Sequence, residues 1–258
     1  MKFQYIKFEA AGPIGKITLN NPERRNALSL GMLRELGELL DSLKKNEAVK
    51  VVIVKAAGKV FSSGHDLTEM LDRGKAEYDE VFQTCCSFMQ KIQEMPQPFI
   101  AQVHGIATAA GCQLVAACDL AVADTGASFG TPGVRLGIFC TTPAIPLVRA
   151  IGRKRALEML FTGRMVSAQE ALQYGLVNRV VPPDKLEEET LVMAEKIAEA
   201  SLLTLGIGKR AFYEQVNLDD AHAYNLGSEV MVSNLFAEDA REGINAFLEK
   251  RKPIWKGR

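Results

Sequence analysis

The sequence predicts an α/β fold with a helical C-terminal part. Three observations carry this. Short apolar runs rich in β-branched residues alternate with helix-patterned stretches over the first two-thirds of the chain. Small residues and glycines follow two of those runs, around Gly64 and from Gly105 to Gly111, where a strand turns into a helix. Beyond Pro182-Pro183 the pattern is helical only. Residues 1–182 therefore read as an α/β core and residues 183–258 as a helical region.

The elements follow in order. Residues 1–12 alternate apolar and polar and read as a strand. Residues 14–19 form a second strand, ended by the turn Asn20-Asn21-Pro22. Over 28–43, Met32, Leu33, Leu36, Leu40 and Leu43 fall close to helical spacing. Residues 51–54 are a continuous β-branched run, the mark of a strand buried on both faces. Residues 67–95 read as mostly helical, 99–103 as the next buried strand, 111–118 as a short apolar helix and 120–123 as a strand. Ser167-Ala168-Gln169-Glu170 has the capping-box pattern and Gly175 stops the helix that follows. Residues 176–181 read as a short strand. Helices are expected over 187–200, 207–215, 221–236 and 239–250.

Composition narrows the function. The chain has 258 residues, with 31 Lys+Arg against 31 Asp+Glu and a formal net charge of zero. The basic excess of a nucleic-acid-binding protein is absent. The five cysteines are odd in number, form no CxxC and have no zinc-ligand spacing with histidine. Neither a disulfide framework nor a metal site is expected, and a reducing compartment fits. The N-terminus has neither the apolar core of a signal peptide nor the character of a transit peptide. The expected location is cytoplasmic, or the mitochondrial matrix if a presequence has been removed. Residues 95–118 contain no Asp, Glu, Lys or Arg, but prolines, glycines, glutamines and His104 interrupt them. A strand, a turn and a buried helix explain that stretch better than a membrane span.

Two segments carry chemistry. Phe61-Ser62-Ser63-Gly64-His65-Asp66-Leu67 lies between a buried strand and a helix. On spacing alone it is a glycine turn in which Asp66 and Glu69 make a capping box. Its functional reading is a His65 N–H left free and aimed at a ligand oxygen. The second segment runs from His104-Gly105 to Gly111-Cys112-Gln113. There a buried strand leads through small residues into a helix N-terminus, which suits an oxygen that becomes anionic. Tight helix–strand packing explains the same small residues. Two such turns on neighbouring strands would make an oxyanion hole. His104 and Asp119 read as structural, and Cys112 as a small buried residue.

In their order NNPERRNALS, VFSSGHDL, VHGIATAAGCQL, CDLAVA, SFGTPGVRLG, TGRMVSAQEALQYGLVNRVV and GINAFLEKRKPIW resemble the crotonase superfamily, the enoyl-CoA hydratase/isomerase family. SSGHDL and AAGCQL are most similar to the enoyl-CoA hydratase domain-containing proteins. The resemblance implies a spiral of ββα units followed by a helical C-terminal trimerisation region, with trimers commonly paired into hexamers. It implies acyl-CoA thioester substrates and no cofactor beyond the coenzyme A of the substrate. His65 and Ala110 match the two residues whose backbone N–H groups hold the thioester oxygen. Arg24 and Arg25 match the segment that approaches the CoA phosphates. Ala27, Ser63, Asp66 and Leu67 fall in the same two segments. Cys140, with Thr141-Thr142, falls in the loop lining the acyl pocket. Phe247, Lys250 and Arg251 match the region that borders CoA, often from a neighbouring subunit.

The departures decide the expected activity. A hydratase holds its water between two carboxylates, and here those positions carry Gln113 and Gly133. No Asp or Glu lies between Glu94 and Asp119, nor between Asp124 and Glu158. The resemblance thus implies a retained hole with weak hydratase activity. Decarboxylation or hydrolysis of an acyl-CoA, and acyl-CoA binding without turnover, stay open as alternatives. Glutamates put back at 113 and 133 are expected to raise hydration if the pocket has room.

Overall fold

The computed structural model describes residues 3–258, so Met1 and Lys2 of the expected first strand lie outside the described residues. In chain order the elements are β1 (Ile6–Ala11), β2 (Ile14–Leu19), α1 (Leu30–Leu43), β3 (Val51–Ala56), α2 (Lys75–Glu94), β4 (Phe99–Val103), β5 (Ile106–Thr108), α3 (Ala110–Ala117), β6 (Leu120–Asp124), β7 (Ser128–Gly130), α4 (Thr141–Ile151), α5 (Arg153–Thr162), β8 (Met165–Ser167), α6 (Ala168–Tyr174), β9 (Arg179–Val181), α7 (Leu186–Ala198), α8 (Leu202–Gln215), α9 (Asp220–Leu235) and α10 (Glu238–Leu248).

Two sheets organise the chain. The larger runs β1-β2-β3-β4-β6-β9 and the smaller β5-β7-β8. β1 and β2 form an antiparallel hairpin, while β2, β3, β4, β6 and β9 pair in parallel. The chain steps repeatedly from one sheet to the other: β4 leads to β5, β6 to β7, and β8 back to β9. The result is a spiral, and the parallel strands all end at one edge of the larger sheet. Loops outside that edge are where such sheets bind ligands.

The core has two sides. Leu33, Leu36 and Leu40 of α1, Phe88 and Ile92 of α2 and Leu114 of α3 pack against one face of the larger sheet. Leu186, Ala194 and Ala198 of α7 pack on Ile14, Val51, Ile53, Ile100 and Val122 from the other. This explains why 51–54 reads as uninterrupted apolar sequence: both faces of β3 are covered. α7 lies beyond residue 182 in sequence, yet it forms one layer of the α/β sandwich.

Several local expectations change. The helix expected over 67–95 is broken: a 3-10 turn covers Leu67–Met70, and α2 starts at Lys75. Asp66 caps that turn by accepting from Thr68 N–H at 3.0 Å, but Glu69 makes no capping box with it. The Glu69 carboxylate instead accepts from Leu30 N–H at 2.8 Å, at the start of α1. The strand expected over 176–181 is confined to Arg179–Val181. Thr141 and Thr142 open α4 rather than lying in a loop. The capping box at Ser167 and Glu170 forms as expected, and Gly175 ends α6 with a left-handed φ of 85°.

Candidate active site

The site is built where the loops after β3 and β5 meet. Ser62 N–H donates to Ile106 O at 3.1 Å and Thr108 N–H donates to Ser62 O at 3.0 Å, which stitches the first loop alongside β5. The backbones are pressed together. A Cβ built on Gly111 would stand 2.5 Å from Ser62 O, and one on Gly64 would stand 2.8 Å from Ala109 Cβ and 3.3 Å from Ala110 N. Both positions therefore require glycine, and Gly64 also has φ +93°.

Ala109 makes the second turn. It has φ 49° and ψ −118°, a conformation that L-residues rarely adopt, and its N–H is held by Gly130 O at 2.9 Å. Strain of this kind persists only where the surroundings impose it. The turn starts α3 at Ala110, so the Ala110 N–H is one of the helix donors without an intrahelical partner. Ala110 is itself fully buried. Its extra methyl relative to glycine is accommodated in ordinary helix geometry.

His65 supplies the neighbouring donor. Leu28 and His65 form a parallel bridge in which Leu28 N–H donates to Gly64 O at 2.7 Å. In such a bridge only one residue turns its N–H toward the other strand, so the His65 N–H faces away from Leu28. Among the described residues neither His65 N–H nor Ala110 N–H donates to a protein acceptor.

The His65 side chain is equally defined. Nδ1 lies 3.3 Å from Leu28 O. A carbonyl only accepts, so Nδ1 carries the proton and Nε2 the lone pair. Nε2 is buried without a partner. The ring stands edge-on to Phe82 of α2, with centroids 5.3 Å apart. Burial pushes the imidazole below its ordinary pKa, partly countered by the bond to Leu28, so it is neutral at pH 7.

Gln113 and Gly133, the positions where the resemblance leads one to expect acids, differ in their surroundings. Gln113 is 3% exposed, and its Oε1 has no partner. Gly133 is buried, and a Cβ there would stand 2.6 Å from both Cys140 Sγ and Ile138 O. The expectation that two glutamates could be restored together is thereby corrected: the Cys140 thiol and a backbone carbonyl fill the space at 133. Burial pushes the Cys140 thiol up, partly countered by the Gly133 N–H, so it is protonated and a poor nucleophile at neutral pH.

Gln113 also borders a cavity of about 660 Å³ running along α3 toward α8. Met89, Ala116, Pro146, Leu176, Phe212 and Val216 form its apolar walls, while His65 and Ala110 do not line it. Its single acid is Asp119. That carboxylate already accepts from Phe99 N–H at 2.7 Å, Lys209 Nζ at 2.6 Å and Tyr213 OH at 2.9 Å. Asp119 thus ties α8 to the core, as a structural reading requires. His104 Nε2 lies 2.8 Å from Gly58 O, also a structural role.

The remaining expected site residues divide into two groups. Arg24, Arg25, Ala27, Ser63 and Asp66 come together: Ser63 N–H donates to Arg25 O at 3.1 Å, and an Arg24 guanidinium nitrogen lies 4.0 Å from the Asp66 carboxylate. Leu67 adjoins them and is half exposed. Phe247 and Lys250 do not join them in this chain; they lie at the end of α10, which packs on α8 and α9, and Phe247 is 82% exposed. Sequence reasoning missed Asn26. It is fully buried, donates to Ala57 O and Val60 O at 2.8 and 2.7 Å, and accepts from Asn21 N–H at 2.9 Å. With φ 50° it locks the Arg24–Arg25 turn against the His65 loop. Its signal in the sequence is an Asn, a residue tolerant of left-handed backbone, just before a helix.

A spiral of strands thus brings two turns together, each with a backbone amide that has no protein acceptor among the described residues. Comparison with known proteins gives the family. The model of the enoyl-CoA hydratase/isomerase family matches residues 9–258, and the chain belongs to that family. Mitochondrial enoyl-CoA hydratase domain-containing protein 3 of Mus musculus is 54% identical over 243 residues, 94% of this chain and 81% of that protein. The crystal structure of the human domain-containing protein 3 superposes with a TM-score of 0.95 at 50% identity, over 98% of this chain and 100% of that one. A Mycobacterium smegmatis enoyl-CoA hydratase structure gives 0.95 at 45% identity, over 98% and 99%. The fold is thus that of the crotonase superfamily.

Proposed function

We propose that the protein binds acyl-CoA thioesters and stabilises their enolate form, an enoyl-CoA hydratase/isomerase-like activity in which hydration is slow. The observation that carries this is the pair of unpaired backbone N–H groups on His65 and Ala110, held on loops that glycines 64 and 111 allow to touch. Buried donors are almost always paired, so two free ones on facing turns are suited to an oxygen that gains charge during reaction. In this reading Arg24 and Arg25 bind the CoA phosphates. Ala27, Ser63, Asp66 and Leu67 border the thioester, and Cys140 lines the acyl end. No cofactor is required, because coenzyme A arrives with the substrate.

Slow hydration follows from the acids. Gln113 can hold a water but cannot take its proton, and Gly133 has neither a side chain nor room for one. Positioned acid/base groups each contribute roughly 10²–10⁴-fold.

Assembly belongs to the same proposal. No residue of α9 is buried, and Met231, Val232, Leu235 and Phe236 are 62, 55, 56 and 82% exposed. Val134, Leu136, Phe139 and Phe161 add apolar surface elsewhere. Such faces are suited to a homotrimer or hexamer, in which Phe247 and Lys250 would border a neighbour's CoA. No helix among the described residues is long and apolar enough to cross a membrane. A reducing compartment fits the free cysteines. The word mitochondrial in the relatives' names favours the matrix over the cytoplasm.

The test is a panel of CoA thioesters followed by mass spectrometry, with binding measured by calorimetry. Binding with slow hydration of crotonyl-CoA is expected. Fast hydration would contradict the acid/base argument, and no binding of any thioester would contradict the site. Light scattering checks the assembly, and a stable monomer at micromolar concentration would refute it.

A further inference from the structure

Five buried side-chain polar atoms lack a hydrogen-bond partner among the described residues. Three of them are His65 Nε2 in the first loop, Gln113 Oε1 on α3, and Thr131 Oγ1 next to Gly130, whose carbonyl holds the Ala109 N–H. Unsatisfied buried groups are rare, and each calls for an explanation. Only one of these three is basic.

We propose that the His65 imidazole is the proton-transfer base of this site, its Nε2 accepting the proton from Cα of the bound thioester. This rests on the acyl-CoA reading above and assigns the group that performs the chemistry. The bond from Nδ1–H to Leu28 O fixes the tautomer, so the lone pair sits on Nε2. The Phe82 edge contact fixes the ring. His65 also offers one of the two free amides, so base and oxyanion donor come from a single residue. The carboxylates are engaged elsewhere: Gln113 is an amide, position 133 is filled by Cys140 Sγ and Ile138 O, Asp66 accepts from Thr68 N–H and Oγ1 at 3.0 and 2.7 Å and lies 4.0 Å from Arg24, and Asp119 is held by three donors.

The step balances without a co-reactant. Nε2 takes the Cα proton, and the C–H electron pair moves into the enolate whose oxygen the His65 and Ala110 amides hold. The imidazolium then trades that proton for one from solvent and delivers it to Cα, which is exchange. With a 3-enoyl chain it returns the proton to Cγ of the dienolate, giving the conjugated 2-enoyl thioester. One base acting at two carbons needs neither water nor a second acid, so the structure favours substrates with an isomerisable 3,4 double bond.

Butanoyl-CoA in D₂O is the probe, since it can be neither hydrated nor isomerised. Mass spectrometry reads deuterium at Cα, and calorimetry reads binding. The informative variant is His65→Asn, whose side-chain N–H can still donate to Leu28 O but whose oxygen is not basic. The unmodified protein should exchange the Cα protons, and His65→Asn should lose roughly 10²–10⁴-fold while still binding butanoyl-CoA. A 3-enoyl-CoA should become conjugated with the unmodified protein and fail to do so with the variant. Exchange unchanged in His65→Asn overturns the proposal. So does binding without exchange in the unmodified protein, which leaves the thioester site standing. Failure of any acyl-CoA to bind overturns both together.

Discussion

Replacing Gly133 by alanine tests whether the missing second acid reflects a site with no space for it. The new Cβ would stand 2.6 Å from Cys140 Sγ and 2.6 Å from Ile138 O. Ordinary contact begins about 0.8 Å further out, so both neighbours must yield. The thiol belongs to a short side chain, and the carbonyl belongs to backbone. Overpacking a buried site costs about 1–3 kcal/mol, and a backbone obstacle places this change near 3 kcal/mol. For a chain of this size that corresponds to a fall in melting temperature of roughly 6–12 °C. Cys140→Ala in the same background removes one of the two obstacles and should recover about 1 kcal/mol, visible as coupling in a double-mutant cycle. The assay is thermal or urea unfolding at one fixed protein concentration, because an assembled protein melts in a concentration-dependent way. Zero coupling to Cys140 would show that the thiol is not one of the obstacles, and Gly133→Ala melting with the parent would show that position 133 has room. Gly133→Glu should then also fit, and Gln113→Glu/Gly133→Glu should hydrate crotonyl-CoA. The structure predicts that this double variant unfolds early and hydrates no better than Gln113→Glu alone.

Three further predictions concern the same region. Asn26→Ala leaves Ala57 O, Val60 O and Asn21 N–H without their partner; it should cost at least about 2 kcal/mol and weaken acyl-CoA binding through the freed Arg24–Arg25 turn, as urea unfolding and calorimetry would show. Gln113→Glu alone supplies one acid and should raise hydration of crotonyl-CoA by about tenfold or more; an unchanged rate would mean that water does not reach Gln113. His65 should make the protein acid-sensitive. Its pKa is lowered in the folded state from 6.5, so on acidification the unfolded chain takes up this proton first. The neutral ring's contribution is complete above 6.5 and is lost as pH falls from 6.5 toward the lower folded value. The stability difference between the parent and His65→Asn should therefore change in that window, above the range of the carboxylates, and a pH-independent difference would refute the assignment.

Much of the architecture was legible because burial on two faces writes itself into composition. β4 falls where its apolar run lies, since a strand covered from both sides has no polar face to blur its ends. The Ser167 box and Gly175 were equally legible, because caps are local chemistry. β5, β7 and β8 were not, being three residues each and held by partners distant in sequence. The Asp66–Glu69 box failed for the same reason: Leu30 N–H, 39 residues away, takes the Glu69 carboxylate.

By itself the sequence determined which residue types are available at the site. His65, Ala110, Gln113 and Gly133 follow from order and motif, and the lack of acids in two long stretches follows from counting. Only the tertiary structure decided what those residues can do. Whether the His65 and Ala110 amides are free depends on which strand each loop joins. Which imidazole nitrogen holds the lone pair depends on Leu28, 37 residues away. Whether Gly133 is an empty place or a filled one depends on Cys140 and Ile138 closing over it. Chemistry is a property of residues, but protonation, pairing and room are properties of their neighbours, and those neighbours are chosen by the fold.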